Sequence, residues 1–185
     1  MFIRSPSHVL RSSRPGLTHH DGKTPPLSRG MAQLLAAVFG VALPPPSAPS
    51  NISPFFRALE TGIRQTYPAP LGGLLARAVA YCHRRTLDRT QLQKLVDMDS
   101  GAVLIALFGN HADGTTMRLI GEAMVGSALL GDHHGVCQWA QQGLNRCARV
   151  GGDWAATASD WQWVAANTSE YMLRIQELRH FLVPA

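Results

Sequence analysis

Proline is unevenly distributed along this chain, and its distribution limits where a folded core can form. Nine of the twelve prolines lie at or before Pro54, and three of them are consecutive at Pro44–Pro46. A proline triplet favours an extended polyproline conformation and excludes a helix or a central strand. The sequence therefore predicts an arm over residues 1–53 and a single helical domain over residues 54–185.

The arm is rich in serine as well as proline, and such a composition cannot bury enough apolar surface to offset the entropy of ordering. We expect residues 1–30 and 44–53 to be disordered. Between them lies a short apolar segment, residues 31–43. Within it, Ala32–Val41 is predicted to form one short helix that docks on the domain or on a partner.

Two targeting interpretations of the arm compete with that of a solvated extension. Residues 1–20 contain arginine and serine but no acid, which is typical of an organellar transit peptide. The segment 31–43, followed by small residues and prolines, imitates the apolar part of a secretory signal. No apolar stretch reaches the roughly 18 residues that span a bilayer. We favour a solvated arm on a cytoplasmic protein and keep organellar and secreted locations as alternatives.

The positive charge of the chain belongs to the arm. The whole sequence of 185 residues has a net charge of +5 and a pI of about 9.6. Residues 1–30 contain five basic residues and one acid, a net of +4, so the remaining 12 basic and 11 acidic residues leave residues 31–185 at +1. A pI above 9 is the usual sign of nucleic-acid binding. Here, however, the excess positive charge lies in the arm, and the domain is nearly neutral.

Apolar residues recur at helical spacing throughout residues 54–185. Phe55, Leu59 and Ile63 are four residues apart, and similar stripes continue to the last helix. The run Val103–Phe108 fits a buried helix or a buried strand. We favour a helix because no second convincing strand exists to pair with it. Short connections then predict an all-α fold of six or seven short antiparallel helices.

The turns between these helices have recognisable signals. Gly131 and Asp132 are expected to end one helix and cap the next, and Gly151, Gly152 and Asp153 to repeat that arrangement. Asn167, with Glu170 three residues later, predicts a capping box for the last helix.

The segment of residues 118–161 resembles tetratricopeptide-type helical repeats. In that family a helix ends in Gly-Asp, a second helix follows, and a Gly-Asp-Trp-like break starts the next hairpin. A period of 34 residues pairs Ile120 with Trp154 and Ser127 with Trp161. The sequence departs from the family pattern at Gly143, among other positions, where the family has alanine. The resemblance implies a stack of helical hairpins that binds peptides or helices of other proteins.

Cysteine and histidine spacing suggests one possible metal site and no cofactor motif. His133 and Cys137 are four residues apart on one predicted helix, so both could bind one metal ion. Cys82 continues an apolar stripe and is expected to be a packed thiol. The chain has no nucleophile elbow, phosphate loop or dinucleotide fingerprint. We predict no cofactor and no catalytic residues, and keep a metal- or thiol-dependent enzyme as a second alternative function.

Nucleic-acid binding is the first alternative function. The segment Thr86–Gly109 has the spacing of a helix-turn-helix, with the turn at Met98–Gly101. Its recognition helix, Ala102–Phe108, has no Arg, Lys, Asn or Gln to read bases, so we expect it to lie in the core. The basic residues near this segment form a patch for phosphate contacts. They are Arg84, Arg85, Arg89 and Lys94.

The leading interpretation is a non-enzymatic protein-binding module, an adaptor or chaperone-like protein, that captures a peptide or helix of a partner protein. Trp139 and Trp163 are its predicted contact residues because both fall outside the main apolar stripes predicted for their helices. Exposed tryptophans commonly anchor interfaces. The sequence leaves the partner and the oligomeric state open.

Overall fold

The computed structural model describes residue 33 and residues 36–42, 53–85, 89–109 and 113–183. The disorder expected for residues 1–30 and 44–53 lies outside the described residues, except at Ser53, which is helical. Any leader function of the arm lies outside them as well.

Seven α-helices follow one another from Ser53 to Leu182, and the described residues contain no strand. They are α1 (Ser53–Thr66), α2 (Leu71–Arg85), α3 (Arg89–Phe108), α4 (Asp113–Leu130), α5 (His133–Val150), α6 (Ala155–Ala166) and α7 (Thr168–Leu182). A single 3₁₀ turn, Gly152–Trp154, precedes α6. The predicted all-α fold is confirmed.

The Gly131–Asp132 turn ends α4 and begins α5 as expected. Gly131 has a φ of +81°, and the amide of Asp132 donates to the carbonyl of Ser127 at 2.9 Å. This is the Schellman arrangement of a helix C-terminus. The Asp132 carboxylate then accepts a hydrogen bond from the amide of Gly135 at 2.9 Å and caps α5.

At the two later turns, no side chain caps the helix that follows. Gly151 and Gly152 both have positive φ and end α5, but no side chain caps α6; the side chain of Asp153 lies outside the described residues. The capping box predicted at Asn167 is wrong. Its side-chain amide donates to the carbonyl of Trp163 at 3.0 Å, because the C-terminus of α6 lies within reach.

Neighbouring helices pack side by side in the pairs α1–α2, α3–α4, α4–α5 and α5–α6, and α7 returns to cover α2, α4 and α5. The apolar stripes predicted for α1, α2 and α7 all lie in one continuous core. Its members from these stripes include Phe55, Leu59, Ile63, Leu74, Leu75, Val79, Cys82, Tyr171, Ile175 and Leu178. The last helix therefore closes a core that the earlier hairpins leave open.

Helix α3 differs from its prediction in two ways. Val103–Phe108 is helical, as favoured, but it continues one uninterrupted helix from Arg89, so the turn expected at Met98–Gly101 is wrong. The expectation that its apolar run is core is also wrong for Leu104, Ile105 and Phe108, which are exposed, while Val103 is buried. The helix packs mainly against α4, and an edge helix can bury only one face.

Part of the arm belongs to the core. Residues 36–39 are helical, and Ala36 and Phe39 are buried in the same cluster as α1. The approach to α1 is close: a Cβ placed at Gly62 would lie 2.8 Å from the carbonyl oxygen of Phe39. The prediction that the short arm helix docks on the domain is confirmed for these residues.

Candidate functional site

The first predicted contact residue, Trp139, is not on the surface. Its side chain is only 6% exposed and lies in the core, so the exposure expected from the sequence is wrong. Trp139 is three residues after Val136 and four before Gly143, and both of these are buried on α5. It therefore shares their face of the helix, and α4 and α6 cover that face from two sides.

Trp163 is half-buried and packs against the core from α6. Trp163 is therefore less exposed than the sequence predicts. Neither tryptophan offers the free aromatic surface that motivated the prediction of a contact site, and their role in binding a partner stays a prediction.

The structure contains a cleft that the sequence did not reveal. It has a volume of about 360 Å³ and lies between α2, α4, α6 and α7. Large apolar and aromatic side chains form most of its walls. They are Tyr81, Met117, Met124, Trp154, Trp161 and Tyr171. We call this space the aromatic cleft.

Two glycines on α4 leave room for the aromatic cleft. A Cβ at Gly114 would lie 3.8 Å from the ring of Trp154, and one at Gly121 would lie 3.7 Å from the ring of Trp161. The glycines are seven residues apart and so are the tryptophans. Each ring therefore faces backbone instead of a side chain, and the space between the helices stays open.

Trp161 is held in place from its other side by α5. A Cβ at Gly143 would lie within 2.8 Å of several atoms of the indole ring, which real side chains do not allow. The ring thus lies directly on the backbone of α5. This contact explains why glycine stands at Gly143, where the tetratricopeptide-type pattern has alanine.

Two walls of the cleft carry buried polar atoms without a protein hydrogen-bond partner among the described residues. They are Nε1 of Trp161 and the hydroxyl oxygen of Tyr171. Burial raises the pKa of Tyr171, and the positive charge of Arg77 offsets part of that rise. Leaving such donors without a partner costs free energy.

Charged pairs stand at the rim. Arg77 of α2 pairs with Asp160 of α6, and Arg118 pairs with Glu122 at 2.8 Å on α4. Both arginines line the cleft and are half-exposed. The site therefore has an apolar centre with a charged edge, which is the usual arrangement of a protein–protein contact.

The sequence predicted neither the aromatic cleft nor a binding role for the residues that line it. The signal that could have found them is the matched seven-residue spacing of Gly114 with Gly121 and of Trp154 with Trp161. A pattern of small residues facing large ones indicates where helices approach and what fills the space between them.

The predicted metal ligands do face each other. The sulfur of Cys137 lies 3.7 Å from Nδ1 of His133 and 3.4 Å from the hydroxyl of Thr168. Within the described ranges, no three His, Cys, Asp or Glu side chains come together at a possible metal position. The pair offers two ligands where zinc usually takes at least three from the protein.

The predicted basic patch is only partly visible. Lys94 is exposed on α3, whereas the side chains of Arg84, Arg85 and Arg89 lie outside the described residues. Because α3 is continuous, the helix-turn-helix geometry that placed this patch beside a recognition helix is absent. Nucleic-acid binding by the patch and the arm stays a prediction.

Comparison of this chain with protein families, with curated proteins and with solved structures found no significant match. The resemblance of residues 118–161 to tetratricopeptide-type repeats therefore stays a prediction. Among the helices that the structure describes, none is both long and apolar enough to cross a membrane.

Proposed function

We propose that the protein is a non-enzymatic binding module, adaptor or chaperone-like in kind, that captures a segment of a partner protein in the aromatic cleft. The observation that carries this proposal is a cleft with an apolar, aromatic centre, in which two wall residues, Trp161 and Tyr171, have buried donors without a protein partner among the described residues. An aromatic or long aliphatic side chain would fill the cleft. A backbone carbonyl next to it would accept the hydrogen bonds.

The size of the cleft limits the kind of segment it can take. Its volume of about 360 Å³ is at the small end of the range for ligand pockets, roughly 300–1,000 Å³. A single large side chain with its flanking backbone fits such a volume, whereas a whole helix does not.

The three cysteines are free thiols, which supports a reducing compartment such as the cytoplasm as the working location.

A library of displayed twelve-residue peptides, selected on the full-length chain, tests the proposal. We expect selected peptides to share one aromatic or long aliphatic residue and to change the fluorescence of Trp154 and Trp161 when they bind. The variant Gly121→Leu fills the cleft and should weaken binding at least tenfold. Ser159→Leu, an exposed position on α6 outside the cleft, is its matched control.

A second variant tests the hydrogen bond separately. Tyr171→Phe keeps the whole ring but removes a donor that has no protein partner among the described residues. It should weaken peptide binding about threefold to tenfold while leaving stability nearly unchanged. Failure to select any peptide, or equal binding by Gly121→Leu and wild type, would overturn the proposed function.

A further inference from the structure

The outward side of α3 exposes a continuous apolar surface. Met98 is 62% exposed, Leu104 50%, Ile105 67% and Phe108 88%. These residues follow one another at the spacing of a single helix face, and we call this surface the outer face of α3. Single exposed apolar residues are normal on proteins, but a contiguous group of this size marks an interaction surface.

A glycine lies in the middle of the outer face. Gly101 stands three residues after Met98 and three before Leu104, and a Cβ placed there would meet nothing within 4 Å. Glycine inside a helix costs roughly 0.5–1 kcal/mol relative to alanine. At Gly143 the ring of Trp161 requires glycine, but no contact within the described chain requires it at Gly101.

We propose that two copies of this chain associate through the outer faces of α3, with the helices antiparallel and crossing at Gly101. A small residue at the crossing lets two helix backbones approach closely. Because the two-fold axis would pass beside Gly101, Met98 of each copy would pack against Leu104 of the other. The same symmetry would place Lys94 of each copy next to Phe108 of the other. This proposal uses a different surface from the aromatic cleft and does not depend on the proposed function.

Charge favours the antiparallel arrangement over a parallel one. Lys94 and Asp97 are both exposed at the N-terminal end of the outer face. In a parallel pair each charged residue would face the same residue of the other copy, and like charges placed together are unfavourable. In an antiparallel pair Asp97 lies level with Ile105 of the other copy, away from the other Asp97. Lys94 lies against the ring of Phe108, where its ammonium group gains a cation–π contact.

The exposed area is sufficient for a weak dimer. With about 200 Å² for a large side chain, the four exposed fractions amount to roughly 500 Å² per copy. The pair would bury roughly 1,000 Å², the lower limit of specific protein interfaces. Interfaces of this size belong to the weak, transient class, so we look for association at roughly 1–100 μM.

Sedimentation velocity of the full-length chain between about 1 and 500 μM tests the proposal, with this range chosen to bracket the expected constant. We expect the sedimentation coefficient to rise from that of a monomer to that of a dimer. Ile105→Glu should weaken the dimer at least tenfold, since it places a carboxylate in the contact. Leu173→Glu is the matched control, because Leu173 is an isolated exposed residue on α7. It should leave the dissociation constant unchanged.

A cross-linking variant tests the crossing point. Gly101→Cys would place two thiols beside the two-fold axis, so mild oxidation should give a covalent dimer at concentrations where Leu173→Cys and the wild type do not. A chain that stays monomeric over the whole range would overturn the proposal, whatever else then covers the face, whether residues 1–30 or another protein. Equal effects of Ile105→Glu and Leu173→Glu would overturn it too.

Discussion

Tyr81 and Tyr171 are both fully buried, but their hydroxyl groups are in different situations. The hydroxyl of Tyr81 donates to a carboxylate oxygen of the buried Asp99 at 2.7 Å, which ties α2 to α3. The hydroxyl of Tyr171 has no protein partner among the described residues. A buried polar group stabilises a fold only when it is paired.

Replacing each tyrosine by phenylalanine should therefore have different effects. We expect Tyr81→Phe to lower the free energy of unfolding by about 1–3 kcal/mol, because Asp99 loses a donor. Tyr171→Phe should change it by less than about 1 kcal/mol or raise it, because the lost hydroxyl was unpaired. Urea unfolding followed by circular dichroism measures both values. A similar loss in the two variants would contradict this account.

Two buried groups also predict that the protein loses stability at alkaline pH. Burial raises the pKa of the Cys82 thiol from 9.0 to about 12, and it raises the pKa of Tyr171 as well. Both groups stay neutral in the folded chain while they ionise in the unfolded chain. Their contribution to stability is complete below pH 9 and is lost as the pH rises from there towards 12.

The expected slope is about 1.4 kcal/mol per pH unit for each group that ionises only in the unfolded state. Unfolding free energies measured in urea at pH 8, 9.5 and 10.5 should fall in that order. Cys82→Ala is the control, and its decline between pH 8 and 9.5 should be smaller than that of the wild type. Equal slopes in the two proteins would show that Cys82 is not the cause.

Among single residues, the sequence predicted the burial of Cys82 correctly and the exposure of Trp139 wrongly. Cys82 continues a stripe on one helix, which is a local property of the sequence. Trp139 lies on the buried side of α5 because helices pack on two sides of it, and the width of a buried face depends on how many neighbours a helix has.

At the scale of elements, the start of α5 offers a direct test of a predicted cap. Asp132→Ala removes the hydrogen bond to the amide of Gly135 and should lower the free energy of unfolding by about 1 kcal/mol. Asp132→Asn keeps an acceptor at the same position and should stay close to the wild type. If alanine and asparagine behave alike, the hydrogen bond is not the source of the stability.

Helix positions were largely predictable because their signals are short-range. Asp132 caps α5 through an amide three residues away, and Gly131 ends α4 within the same turn. Asn167 has an equally good local pattern, yet its side chain bonds to Trp163 instead. The turn expected at Met98–Gly101 is also wrong, since α3 continues through these residues as one helix.

At the scale of the whole molecule, the arm and the domain are not independent. Ala36 and Phe39 are buried against the domain, whereas Val38 between them is exposed. Phe39→Ala should lower the free energy of unfolding by at least about 2 kcal/mol, since it removes a buried aromatic side chain. Val38→Ala, its matched control, should change stability by no more than about 0.5 kcal/mol.

Thermal unfolding of the full-length variants, repeated at several denaturant concentrations, gives both values. An effect of Phe39→Ala as small as that of Val38→Ala would show that the arm segment contributes nothing to the core. The division at residue 53, read from proline, would then also be the physical boundary of the fold.

The sequence by itself determined the all-α class, the apolar stripes of α1, α2 and α7, and the turn at Gly131–Asp132. These features depend on residues that are only three or four positions apart in the sequence. Tertiary structure alone decided that Trp139 is covered, that Phe108 is not, and that Trp161 and Tyr171 line a cleft. Exposure and cavities depend on which helices meet, and contacts between residues distant in sequence set that arrangement.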